Sequence, residues 1–206
     1  KDPFNRVLGW MPRVHPIIRK DGTLILPLAN ENFNVAAIAM TSDGGESWKM
    51  SDTIPGLGVV QPSVVPLKDG RFTAFFRDAS NCHRIMRSKS FDQGYTWSEV
   101  TATELPNPGS GVEAIVLQNG HLLMVYNDKE EGRDRLAVSI SQDEGDSWEW
   151  TRHIEDRQGH RFCYPSVIQS EDERIHITYS YDHRTIKHVC FNENWIIDSD
   201  EAELSL

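Results

Sequence analysis

Glu113 is a strong candidate for a catalytic or ligand-binding residue, because of its residue type and its position. It follows a glycine-rich stretch in "PNPGSGVEAIVL" and opens an apolar strand pattern. A carboxylate at such a position costs free energy on burial unless a partner or a ligand compensates it. Tyr164 opens a comparable pattern, "YPSVI". The glycine-rich stretch can bring backbone amides close to a ligand. We therefore expect Glu113 and Tyr164 to border a functional site.

Further polar residues recur at the starts and ends of apolar strand patterns, where a scaffold imposes no particular residue type. The alternation of strand direction places the start of a first strand and the end of a second strand on the same face. We predict that these positions, together with two wall residues from "TIKHV", contact a ligand: Arg13, His15, Gln61, Arg77, Asn127, Asp128, Tyr181, Lys187 and His188. Taken singly, each of them is also compatible with a salt bridge or a packing role.

A sequence repeat indicates the strands and turns on which these residues lie. The pattern Ser/Thr-x-Asp-x-Gly-x-Ser/Thr-Trp begins at Thr41, Ser90 and Ser141, with spacings of 49 and 51 residues. A short carboxylate and a hydroxyl satisfy turn amides, glycine supplies a positive φ, and tryptophan packs between neighbours. We expect the motif to be scaffold. A degenerate fourth copy, "NENW", ends at Trp195, 47 residues after Trp148.

Three apolar strand patterns precede each copy, and Asp-Gly or Asn-Gly separates the first two of them. These dipeptides predict hairpins at Gly22, Gly70 and Gly120. Repeats of about 50 residues with four short strands are typical of β-propeller blades. We predict an all-β chain that is part of a single β-propeller domain, with four-stranded antiparallel blades at about 13–55, 59–106, 111–156 and 162–198.

Composition excludes some functions. The chain has 21 Lys and Arg against 31 Asp and Glu, a net charge of −10, which disfavours nucleic acid as a partner. Its longest apolar runs are too short to span a membrane as a helix. Three separated cysteines define no disulfide framework, and no histidine or cysteine spacing indicates a metal or another cofactor. The compartment cannot be predicted, and open blade edges could pair between chains.

The three motifs resemble Asp-boxes, the repeat of bacterial neuraminidases, and the chain resembles the sialidase superfamily. The phrases "GWMPRVHP", "VQPSVV", "LPNPGSGVEAIVL", "LMVYND", "RLAVSISQDEGDSW" and "YPSVIQ" are similar to those of its exo-sialidase-like group. The likeness spans nearly all 206 residues. Sialidases have six blades, so the resemblance implies that this chain is the later part of a longer propeller.

The resemblance also implies a chemistry. In sialidases three arginines bind the substrate carboxylate, a tyrosine assisted by a glutamate is the nucleophile, and an aspartate on an early loop is the acid/base. Tyr164 and Glu113 resemble the catalytic pair, whereas Arg13 and Arg77 are candidate anion clamps. The implied function is a glycoside hydrolase acting on terminal sugars of glycans, acidic sugars among them. Glu113 and Tyr164 lie in adjacent blades, whereas sialidases separate them by a blade, so a non-catalytic glycan-binding or partner-binding propeller is the alternative.

Overall fold

The structure is a computed structural model that describes residues 9–198. Fifteen strands and one short helix occur among these residues. The strands form four sheets in which sequence neighbours are also spatial neighbours, and their pairing is antiparallel. None of the helical structure in this part of the chain is long and apolar enough to cross a bilayer.

The first two sheets have four strands each. Sheet 1 contains β1 (Ile17–Ile18), β2 (Leu24–Asn30), β3 (Val35–Thr41) and β4 (Lys49–Met50). Sheet 2 contains β5 (Val59–Pro66), β6 (Phe72–Asp78), β7 (Arg84–Ser90) and β8 (Thr101–Pro106).

The other two sheets follow the same order. Sheet 3 contains β9 (Glu113–Val116), β10 (Leu122–Asn127), β11 (Arg135–Ser141) and β12 (Trp150–Asp156). Sheet 4 has three strands in the described residues: β13 (Phe162–Gln169), β14 (Ile175–Tyr181) and β15 (Thr185–Phe191). Helix α1 (Glu193–Ile197) follows β15.

The chain divides into two compact units, which are described separately below. The first unit contains sheet 1 and most of sheet 2, and the second contains sheets 3 and 4 together with His83–Ile85 and Thr103–Pro106. Each unit has its own apolar core. Ile38, Phe76 and Trp97 belong to the first core, whereas Val138 and Ile177 belong to the second. The middle strands β2, β3, β6, β10 and β11 are buried along most of their length.

The three predicted hairpins are confirmed. Gly22, Gly70 and Gly120 have φ values of 85°, 89° and 94°, which only glycine adopts without strain. At each turn the amide of the glycine donates to a carbonyl three residues earlier. The preceding Asp21, Asp69 or Asn119 accepts a hydrogen bond from the amide two residues later, at 3.0 Å in all three cases. Local turn chemistry therefore fixes the register of each hairpin.

The repeated motif is a self-contained turn, as predicted. In the first copy Asp43 accepts hydrogen bonds from the amide and the hydroxyl of Ser47, while Thr41 Oγ1 accepts from the amide of Gly45 at 2.9 Å. The indole of Trp48 donates to the Gly45 carbonyl at 3.1 Å. Equivalent bonds close the copies at Asp92 and Asp143. All of these bonds lie within the turn, which is consistent with a scaffolding role.

The expected fourth copy differs from the other three. Here "NENW" begins helix α1 instead of a turn, because Asn192 acts as its N-cap and accepts a hydrogen bond from the amide of Trp195 at 2.9 Å. Trp195 is buried and its ring lies 4.6 Å from that of Phe191. The tryptophan thus keeps a packing role, while the loss of the aspartate and the glycine removes the turn.

Candidate functional site

Strand register places first-strand starts beside second-strand ends in the second unit. Glu113 pairs with Val125 near the end of β10, and Phe162 pairs with Tyr181 at the end of β14. The loops leaving these strand ends carry polar side chains. We call this edge, with Glu113, Tyr164 and the loops that contact them, the rim of the second unit.

Glu113 is held by the neighbouring sheet. Its side chain is 2% exposed, and Oε2 accepts a hydrogen bond from the amide of Val167 in β13 at 3.2 Å. Such a bond compensates part of the cost of removing a carboxylate from water. Glu113 therefore joins β9 to β13 at the rim.

Tyr164 occupies a β-bulge. The register of β13 against β14 shifts between Cys163 and Ser166, and Tyr164 adopts a φ of 52°. A left-handed backbone is strained for a tyrosine, and such strain is often found at functional positions. The bulge leaves the Tyr164 side chain 46% exposed, while Cys163 beside it is fully buried.

Arg133 is the rim residue that the sequence did not reveal. It comes from the loop between β10 and β11, and its guanidinium carbon lies 5.8 Å from the centroid of the Tyr164 ring. Nη2 donates to the carbonyl of Gly109 at 2.9 Å, and Nη1 lies 3.6 Å from Cys163 Sγ. These contacts hold a cation against the exposed tyrosine.

The glycine-rich stretch contributes through a carbonyl, not through the amides expected from its composition. Gly109 has a φ of 69° and presents its carbonyl to Arg133. Asn107 closes this loop with two hydrogen bonds to the backbone of Ser110, at 3.0 and 3.1 Å. Because Asn107 is fully buried, the loop that supports Arg133 is anchored in the interior.

Asn127 positions the Arg133 loop from the buried interior. Its side chain is 0% exposed, and Nδ2 donates to the carbonyls of Arg135 at 3.1 Å and of Phe162 at 3.0 Å. These bonds make Asn127 a positioning residue for the loop. Its Oδ1 atom is buried without a hydrogen-bond partner in the described residues, and ligand contact at this residue stays a prediction. The adjacent Asp128 contacts His153 Nε2 at 2.7 Å.

A cleft of about 500 Å³ lies beside Arg133 in the second unit. It is lined by Pro108, Gly132, Arg133, Asp134, Gly159, His160 and Arg161. His160 Nδ1 lies 2.8 Å from Asp182 Oδ2, and this imidazole, followed by the amide of Arg161, holds the pKa of Asp182 below its usual value. Two arginines line the cleft together with Asp134, whose carboxylate accepts from Lys129 Nζ at 2.8 Å.

Tyr181, Lys187 and His188 have different surroundings. The Tyr181 ring lies 5.4 Å from that of His160, which places it behind the cleft. Lys187 Nζ donates to Glu155 Oε1 at 2.6 Å, and the same buried carboxylate accepts from the hydroxyl of Tyr179 at 2.7 Å. His188 Nε2 lies 3.1 Å from His176 Nδ1. Lys187 and His188 thus contact other side chains of this protein, on opposite faces of sheet 4.

The remaining predicted residues belong to the first unit. Gln61 occupies a bulge like that of Tyr164, with a φ of 53°, and its Nε2 donates to Glu31 Oε1 at 2.6 Å. Gln61 Oε1 and Arg77 Nε are buried, and neither atom has a hydrogen-bond partner in the described part of the chain. Buried polar atoms of this kind are suited to a ligand. Arg13 is half-buried and His15 is exposed.

No cluster of three or more metal-binding side chains occurs in residues 9–198. The fold defines the class of the protein: an all-β protein built of antiparallel blades. The family model described as BNR repeat-like domain matches residues 6–177. The chain belongs to this family.

Curated relatives are sialidases. The chain is 28% identical to the sialidase of Clostridium perfringens over 157 residues, covering 67% of the chain and 41% of that protein. It is 25% identical to the sialidase of Bacteroides fragilis over 187 residues, covering 85% of the chain and 34% of that protein. The chain thus spans less than half of each relative.

Solved structures show the same fold. The NanB sialidase from Streptococcus pneumoniae matches with a TM-score of 0.74 and 21% identity, covering 88% of this chain and 30% of that one. The intramolecular trans-sialidase from Ruminococcus gnavus matches with a TM-score of 0.71 and 20% identity, covering 85% and 41%. The predicted β-propeller fold and the resemblance to sialidases are confirmed.

Proposed function

We propose that this chain is part of a glycoside hydrolase that removes terminal sugars bearing an acidic group. The observation that carries the proposal is the contact of Arg133 with the exposed Tyr164 ring at a rim that also holds Glu113. The homology to sialidases supports the same chemistry. Substrate and activity are assigned here to the whole protein, of which this chain is a part.

The proposed roles follow from side-chain chemistry. Arg133 and Arg161 bind the carboxylate of the sugar, because a guanidinium matches that group with two parallel hydrogen bonds. Tyr164 is the nucleophile, and Glu113 is the carboxylate that assists its deprotonation. Asn127 and Gly109 hold the Arg133 loop in place.

One observation favours a second function. Glu113 is almost fully buried and accepts a hydrogen bond from the Val167 amide, an arrangement that also suits a structural carboxylate. In that case the rim binds acidic glycans through Arg133 and Tyr164 without cleaving them. The two functions share a ligand class and differ in turnover.

Hydrolysis of a fluorogenic sialoside and of a panel of acidic glycans by the intact protein tests the proposal, with glycan binding measured in parallel. We expect Tyr164→Phe and Glu113→Gln to lower turnover by at least about a hundredfold while binding persists. Tyr95→Phe and Glu46→Gln, at exposed positions in the repeated motifs, are matched controls. Binding without turnover by the wild type supports the binding module, and neither binding nor turnover contradicts both functions.

A further inference from the structure

Two histidines are neighbours on the exposed face of sheet 4, outside the rim. In the register of β14 and β15, His176 pairs with Cys190 and Thr178 pairs with His188. His176 and His188 are therefore diagonal neighbours on one face of the sheet. Within the described residues His188 is exposed and His176 is half-buried.

The ring nitrogens of this pair converge. His176 Nδ1 and His188 Nε2 lie 3.1 Å apart, and the two ring planes differ by 15°. Imidazole nitrogens bind zinc at about 2.0–2.1 Å, so two of them on a tetrahedral ion are about 3.3 Å apart. The observed separation is thus close to that of two ligands of one ion.

A hydrogen-bonded chain fixes the tautomer of His176. Ser170 Oγ lies 2.5 Å from Asp172 Oδ1 and 3.1 Å from His176 Nε2. The Ser170 hydroxyl holds the pKa of Asp172 below its usual value, so this carboxylate is ionised and only accepts. The carbonyl of Arg174, 3.0 Å from Ser170 Oγ, also only accepts. The Ser170 proton is therefore directed towards one of these two acceptors, and His176 donates its Nε2 proton to Ser170 Oγ. The lone pair of His176 then resides on Nδ1 and faces His188.

The same series of hydrogen bonds supports His176 in the way that metal-binding histidines are usually supported. The nitrogen that does not bind the metal commonly donates to a carboxylate, a carbonyl or another polar group, which orients the ring and raises its basicity. The connection from His176 through Ser170 to Asp172 has this form. Cys190 Sγ lies on the Nε2 side of His176, at 3.9 Å, and accepts from Arg174 Nε at 2.9 Å.

We propose that His176 Nδ1 and His188 Nε2 bind one divalent transition-metal ion, with solvent completing its coordination. Binding replaces the proton between the two nitrogens, and that proton leaves to solvent or moves to His188 Nδ1. The Arg174 guanidinium opposes the ion, whereas Asp172 and the net charge of −10 favour it. Imidazole ligands suit zinc, copper and nickel. This site is independent of the proposed glycosidase activity.

Titration calorimetry of the intact, metal-free protein with zinc chloride tests the site. We expect one zinc ion per chain, and at least a tenfold loss of affinity in His176→Gln and in His188→Gln. Ser170→Ala keeps both ligands but removes the orienting hydroxyl, so its affinity should fall about tenfold. Acidification from pH 7.5 to 5.5 should weaken binding by more than tenfold, because only the deprotonated imidazole binds the metal.

His83→Gln removes a histidine elsewhere in the second unit and is the matched control. Its zinc affinity should equal that of the wild type. His188 is exposed, so His188→Gln should fold even if His176→Gln does not, which circular dichroism verifies. The site is ruled out if the wild-type protein binds no zinc, or if both histidine variants bind it as the wild type does.

Discussion

The Arg133 guanidinium lies against the Tyr164 ring, 5.8 Å from its centroid, although the two residues come from different sheets. This contact brings together a loop cation and a bulged, exposed aromatic side chain. It depends on Gly109 and Cys163, which hold the guanidinium from two other directions. A tyrosine beside a fixed cation is placed next to any anion that the cation binds.

Replacing Arg133 by lysine tests the anion site. Lysine keeps the charge but cannot contact Gly109 and Cys163 while also presenting a planar fork to a carboxylate. We expect Arg133→Lys to weaken binding of an acidic glycan about tenfold, whereas binding of neutral glycans stays unchanged. Calorimetry or a glycan array measures both. Arg71→Lys, at an exposed ion pair with Asp69, is the matched control. An equal loss for acidic and neutral glycans would contradict the assignment.

Removing the Asn127 side chain tests its positioning role. Asn127→Ala removes a side-chain donor from the Phe162 carbonyl and one of the two donors of the Arg135 carbonyl, which keeps the Asp128 amide, in a buried site. We expect the free energy of unfolding to fall by about 2–3 kcal/mol. Urea denaturation followed by fluorescence measures the change, and Asn194→Ala, at an exposed helical position, should change it by less than about 0.5 kcal/mol. A small loss in Asn127→Ala would show that the loop has other anchors.

The parts of the fold that were predictable from sequence depend on local chemistry. The turns at Gly22, Gly70 and Gly120 and the Asp-boxes satisfy their hydrogen bonds within a few residues, so short patterns suffice to reveal them. Helix α1 was not predicted, since five residues are too few to show a helical period.

The site was less predictable because its contacts join distant segments. Glu113 and Tyr164 stand out by their unusual strand positions. Arg133 lies in a polar loop two residues before a second arginine, Arg135 at the start of β11, and only tertiary structure shows which of them meets Tyr164. The strand order alone indicates that this loop is near the site, because the loop follows the end of β10 that lies beside Glu113. Conversely, the sequence predicted that Lys187 contacts a ligand, but its Nζ donates to the buried carboxylate of Glu155, which lies on another strand.

A glycine substitution tests the packing of the second Asp-box. Gly94 has a φ of 99°, and a Cβ there would lie 3.3 Å from a ring carbon of the buried Phe72. Gly22 has a φ of 85°, but nothing lies within 4 Å of its Cβ position. We expect Gly22→Ala to cost about 1 kcal/mol for the backbone alone and Gly94→Ala to cost clearly more. Thermal unfolding of both variants measures the difference, and equal losses would mean that Phe72 yields freely.

The first Asp-box predicts an acid-sensitive contribution to stability. Hydrogen bonds from the Ser47 hydroxyl and amide, then from the Thr41 hydroxyl, hold the pKa of Asp43 well below its ordinary value of 3.8. A carboxyl with a lowered folded-state pKa stabilises the fold above its unfolded-state pKa, and this contribution is lost as pH falls towards the folded-state value.

Asp43→Asn should therefore be less stable than the wild type above pH 5, and the difference should narrow as pH falls below 4. Denaturant unfolding at a series of pH values from 6 to 2 checks the trend. Asp52→Asn, at an exposed carboxyl outside the motif, is the matched control. A difference between wild type and Asp43→Asn that stays constant over this range would mean that the ionised form is not what the turn requires.

The strained backbone of Tyr164 predicts that stability and function can be separated at this residue. Tyr164 has a φ of 52°, where glycine avoids the steric cost that a Cβ imposes. Its exposed ring adds little burial that glycine would lose. Tyr164→Gly should therefore leave the free energy of unfolding unchanged or raise it by up to about 1 kcal/mol, while glycan turnover or binding is lost. Glu173→Gly, at a turn residue with a φ of 64°, should gain similar stability and keep full function. If Tyr164→Gly is strongly destabilised, the ring serves mainly to hold Arg133 and the rim together, and strain at this bulge is maintained for structure.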